Sequence, residues 1–179
     1  MRYMEQNEIL NIKRFVALDF EILSSWRCSV CAVGCAVFEN DKLVDKYYTL
    51  VCPPSKDENP YCVETHGLTY NIVKIGPPFP EVWKKIDKMI GDSPIVAHNK
   101  GFEKSCIEAC ADEFGTNDDY EYIDTLKLSR EYLDTPNHKL NTICEALNVK
   151  LKQHHNALED AIAAGECYIK LKNKYLKYE

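Results

Sequence analysis

The stretch Arg14-Phe15-Val16-Ala17-Leu18-Asp19-Phe20-Glu21 constrains this chain more than any other. Its apolar residues, 15–18, read as a buried strand that runs out into two carboxylates one residue apart. Side chains alternate along a strand, so Asp19 and Glu21 point to the same side. Two like charges beside an apolar run cost free energy unless a cation neutralises them. Oxygen ligands of this kind suit a hard divalent ion, magnesium or manganese. A strand that merely ends in solvent would carry the same two acids, so the rest of the chain has to decide.

At 179 residues the chain suffices for one core and is short for two domains. Residues 1–13 read as a flexible lead-in and 14–179 as a single domain. No apolar run approaches the roughly 20 residues a membrane helix needs, and the polar N-terminus lacks a signal-peptide core. A cytoplasmic protein without membrane contact is expected. The net charge of −6 argues against a broad basic surface gripping nucleic acid, while leaving room for a strand held locally by metals and a few lysines. The spacing of Cys28, Cys31 and Cys35 invites a zinc reading. No second paired cluster completes four ligands, and the run around them has the texture of a buried strand, so reduced core thiols are expected.

After the first strand, a second is predicted near 29–38, a polar turn at Glu39-Asn40-Asp41, and a third strand over 42–51 that Pro53-Pro54 stops. Residues 55–76 read as a long irregular segment. An amphipathic helix is predicted over Phe79–Ile90 with Gly91 as its stop, then a short strand over 94–99 and a helix over 101–114. A strand at 122–124 leads into a helix over Thr125–Tyr132, with Asp124 as N-cap. Helices over 139–147 and 157–175 close the chain. This order fits an α/β domain: three antiparallel strands, then parallel ones, in a mixed sheet with helices on both faces. Acids and polar partners gather in three places: Asp19 and Glu21; the run from Ala97-His98-Asn99 to Phe102-Glu103; and His155-Asn156-Ala157-Leu158-Glu159-Asp160. In open α/β sheets sites collect at strand ends, so the three could converge there.

These stretches, in this order, resemble the DEDD superfamily of 3′→5′ exonucleases, and the His-x4-Asp third motif resembles its histidine subtype (DEDDh). Residues 27–34, Thr65-His66-Gly67-Leu68-Thr69 and Asp124-Thr125-Leu126 are most similar to exonucleases like the epsilon subunit of bacterial DNA polymerase III. The resemblance implies a ribonuclease-H-like fold and hydrolysis of phosphodiester bonds at single-stranded DNA or RNA 3′ ends, releasing nucleoside 5′-monophosphates. It implies two divalent ions, Mg2+ or Mn2+, held by Asp19, Glu21, Glu103 and Asp160, with His155 as general base. Substrate contacts fall by analogy at Phe20, Ile22, His66, Asn99 and Phe102. A proofreading role would need a DNA polymerase or another replication or repair protein as partner. Two departures stand out: Glu103 occupies the place of the family's usual aspartate, and Ile22-Leu23-Ser24 replaces its Thr-Thr-Gly or Thr-Ala. They motivate the rival reading, a catalytically weak or inactive module that binds a nucleic-acid end or a polymerase. An exoribonuclease is the second alternative. His154 is read as a solvent-facing neighbour, and Asp119-Tyr120-Glu121 as a chance repeat of the first motif in a polar loop.

Overall fold

A computed structural model describes residues 6–174. Strand β1, Arg14–Ile22, forms where the apolar run predicts it and becomes the centre of a five-stranded sheet. Strands β2 (Val30–Glu39) and β3 (Lys42–Leu50) follow as an antiparallel meander. Asn40 and Asp41 both take positive φ at the turn between them, as a tight hairpin with right-handed strand twist requires. Strands β4 (Ile95–Ala97) and β5 (Tyr122–Asp124) add on the other side of β1 in parallel, giving the order β3-β2-β1-β4-β5. The mixed sheet expected from the sequence is the one observed.

Alternation along β1 divides the core in two. Val16, Leu18, Phe20 and Ile22 join a cluster with the helices α4 (Phe79–Ile90) and α5 (Lys100–Phe114). Phe15 and Ala17 face the opposite cluster, built with α7 (Leu140–Leu147) and the closing helix α8 (Ala157–Lys174). Between these runs α6 (Thr125–Tyr132), whose N-cap Asp124 accepts from the backbone N–H groups of Leu126 and Lys127. The closing helix was expected to reach residue 175, which lies outside the described residues. Trp83 and Phe79, stacked at 5.4 Å, are core residues of α4. Cys28, Cys31 and Cys35 are buried free thiols, so the zinc spacing is a core pattern.

Two segments differ from the sequence reading. Within the lead-in, Gln6–Asn11 form a short helix α1, and the Ile9 carbonyl accepts from the Tyr168 hydroxyl at 2.7 Å. Within the long irregular segment stand two short helices, α2 (Pro60–His66) and α3 (Tyr70–Val73). Asn59 caps the first by accepting from the Tyr61 N–H, Pro60 opens it, and Gly67 at φ 75° ends it. Each is an ordinary helix-end device, outweighed in the sequence by the surrounding Pro, Asn and Gly.

Candidate active site

The parallel register Ala17↔Val96 places the ends of β1 and β4 side by side, and the acids gather just beyond them. Asp19 and Glu21 continue the face of β1 that packs against α8. Asp160, in the first turn of that helix, meets them there: carboxylate oxygens of Asp19, Glu21 and Asp160 lie within 4.8 Å of one another. The helix approaches this closely because β2 offers Gly34 opposite Asp19; a Cβ at Gly34 would stand 2.1 Å from the Ala157 carbonyl oxygen. Glu103 arrives from the other layer, on the first turn of α5 after Asn99 turns the chain with φ 71°. It is 2% exposed, and its Oε2 has no hydrogen-bond partner. Glu103 stands behind the three-acid set rather than in it.

These carboxyls resist ionisation. Burial, then the charges of Glu103, Glu21 and Asp160, hold Asp19 well above the usual carboxylate range. Burial, with Asp160 adding, pushes Glu21 up to about 8. Burial raises Glu103 as well; Asp124 and Glu21 add to that, while its own backbone N–H and the Arg27 guanidinium oppose it. A set of four acids, Glu103 and Asp160 buried and Asp19 and Glu21 partly so, one with an orphaned oxygen, is the donor set that hard divalent ions take. The residues present fit such ions.

The histidines depart from expectation. The ring of His154, not His155, lies against Asp160, with Nδ1 3.2 Å from both carboxylate oxygens. His155 takes φ 64°, donates its backbone N–H to Asp160 Oδ2 at 2.9 Å, and stacks its ring on His154 at 3.9 Å between centroids. A side-chain nitrogen of each histidine still lies within 4.8 Å of Asp160. Burial and the neighbouring His154 lower the pKa of His155, whereas Asp160 raises it.

The acids floor a cleft of about 1010 Å³. Asn99 and Phe102 line it, and Phe20 borders it, although the Phe20 ring points into the core against Phe79 and Trp83. Ile22 packs in the same core. His66 has both ring nitrogens engaged, with Nε2 3.1 Å from the Ile22 carbonyl and Nδ1 accepting from the Leu68 N–H, so it pins α2 to the end of β1. Sequence reasoning missed Tyr61 on one wall and Arg130 and Lys139 on the other. Tyr61 follows a recognisable cap; the two cations belong to no motif. His98 bonds the His138 carbonyl at 2.9 Å and Thr125 Oγ1 at 3.1 Å, tying the Arg130 wall to β4. Tyr120 bonds Asp87 at 2.5 Å and packs on Trp83, far from a ligand role.

An exonuclease family model, RNase_T, matches residues 16–168. DNA polymerase III of PolC type from Caldanaerobacter subterraneus is 35% identical over 163 residues, covering 89% of this chain and 12% of that protein. The Bacillus cereus protein of the same type is 30% identical over 175 residues, 94% of this chain and 12% of its own length. The chain thus spans about an eighth of these relatives. Among solved structures, the nuclease domain of 3′hExo, a DEDDh family member bound to rAMP, superposes with TM-score 0.79 at 14% identity, covering 94% and 96% of the two chains. Exonuclease X in complex with 5′ overhanging duplex DNA gives 0.75 at 20% identity, covering 90% and 92%. The fold they share with this chain is the ribonuclease-H-like one.

Proposed function

The chain belongs to the RNase_T exonuclease family, within the DEDD 3′→5′ exonuclease superfamily, and from that membership we propose a metal-dependent enzyme that removes nucleotides from single-stranded 3′ ends. The observation that carries this reading is the convergence of Asp19, Glu21 and Asp160 in front of the buried, partly unpartnered Glu103. In it, Asp19, Glu21, Glu103 and Asp160 hold two divalent ions, Mg2+ or Mn2+. Such ions supply water activation and charge stabilisation on the leaving oxygen of an in-line displacement.

The chain's own groups do the rest. His155, favoured as neutral, accepts the proton of the attacking water, a role typically worth about 10²–10⁴-fold. His154, with Nδ1 against both oxygens, and the backbone N–H of His155 together hold the Asp160 carboxylate. Arg130 and Lys139 give the strand's phosphates a local positive wall in a chain of net charge −6. Asn99 and Phe102 border the terminal nucleotide, which leaves as a 5′-monophosphate. DNA and RNA ends both fit these groups, since none is committed to a 2′-hydroxyl. The PolC-type relatives make a replication or repair polymerase the partner class for this reading, and nine free cysteines accord with a cytoplasmic setting. No helix among the described residues is long and apolar enough to cross a membrane.

The rival, a binding module without turnover, draws on Glu103 lying outside the three-acid set. Calorimetric titration with manganese separates the two. The enzyme reading expects two equivalents bound by the wild type and fewer by Asp19→Asn. It also expects His155→Ala to keep its ions and lose at least about 100-fold in rate. A wild type that binds no second ion, or a His155→Ala variant at full rate, contradicts the mechanism.

A further inference from the structure

The loop after Glu21, where the family's Thr-Thr-Gly is missing, is tightly closed. Leu23 N–H donates to the Ser29 carbonyl at 2.9 Å and Ser29 N–H to the Trp26 carbonyl at 2.9 Å. Buried Ser29 donates its hydroxyl to the Trp26 carbonyl at 2.6 Å and accepts the Ser24 N–H at 3.0 Å. From this closed loop Arg27 projects outward and lays its guanidinium over the Phe102 ring, 4.5 Å from the centroid. Phe102 lines the cleft and is the immediate neighbour of Glu103.

Among the described residues no carboxylate pairs with Arg27. It is thus a cation without a direct ion pair, within electrostatic reach of Glu103 and beside a cluster of four acids. A strand of phosphodiesters approaching those acids meets repulsion that a fixed guanidinium nearby offsets. One face of the guanidinium rests on the aromatic ring, which leaves its edge N–H groups available to fork a phosphate.

We infer that Arg27, stacked on Phe102, is a substrate-binding residue that holds a backbone phosphate of the strand entering the cleft. It stands in the loop where Ile22-Leu23-Ser24 takes the place of the family's Thr-Thr-Gly. The inference rests on the exonuclease reading of the cleft and names one further contact of that site.

The test uses a fluorescent single-stranded 12-mer with manganese and the variants Arg27→Gln and Arg27→Lys. Arg27→Gln raises KM about tenfold, the order of one charge-assisted hydrogen bond, and leaves kcat within about twofold. The plot of log KM against log salt becomes shallower by about 0.7, one phosphate contact on a single strand. Arg27→Lys keeps the wild-type slope with an intermediate KM. Tm and manganese stoichiometry stay at wild-type values in both. An unchanged KM and slope overturns the inference. So does a fall in kcat with weakened manganese binding, which would make Arg27 a support for Glu103 instead. Should the wild type cut nothing, the exonuclease reading fails on its own. Anisotropy of the 12-mer with wild type and Arg27→Gln in chelator then still decides this contact.

Discussion

Glu21 shows at the level of one residue how the site opposes the fold that builds it. A carboxyl raised to about 8 in the folded protein stays protonated where the unfolded chain, at an ordinary value of 4.5, would ionise it. Its penalty is absent below about pH 4.5, grows as pH rises through the unfolded value, and is complete at about pH 8. Asp19 and Glu103 act in the same direction. The metal-free protein therefore melts lower at pH 8 than at pH 5.5, by on the order of 5 °C for a chain of this size. Asp19→Asn removes part of that penalty, raises Tm in chelator and abolishes cutting. Equal melting at both pH values would contradict the electrostatic account. The acids themselves were legible in the sequence because strand alternation puts Asp19 and Glu21 on one side. The histidines were less so. Spacing points to His155, but the ring of His154 meets Asp160 where His155 takes positive φ, and nothing in the residue order of 153–156 announces it.

Among the elements, α8 carries the heaviest positional demand, since it must bring Asp160 onto a sheet it also covers. Gly34 meets that demand by leaving the space a side chain would fill. Gly34→Ala is expected to push the first turn of α8 away, costing about 1–3 kcal/mol of overpacking, roughly 2–12 °C in Tm. Because Asp160 moves with that turn, manganese affinity falls in the same variant; wild-type affinity there would show that α8 is not positioned through Gly34. Most elements were readable from periodicity: β1, α4 and α5 each bury the residues their spacing selects. Helices α1 and α2 were not, because α2 buries no residue and is held by caps and by His66 on the Ile22 carbonyl, a contact 44 residues apart in sequence.

At the scale of the molecule, the sheet brings three distant segments to the ends of two neighbouring strands. No local pattern states that convergence; the ordered set of motifs did, through its resemblance to a family whose model matches residues 16–168. What the motifs do not contain is the far wall of the cleft, where Arg130 and Lys139 depend on how α6 and α7 pack. The net charge of −6 says that strand binding here is local, not a property of the whole surface. The most direct measurement is digestion of 5′-labelled single-stranded DNA and RNA of equal sequence, with magnesium or manganese and an Asp19→Asn control. A ladder shortening from the 3′ end, absent in the control and in chelator, is the predicted result. A folded wild-type protein that leaves both strands intact with either metal, or an equal ladder from the control, would contradict the account.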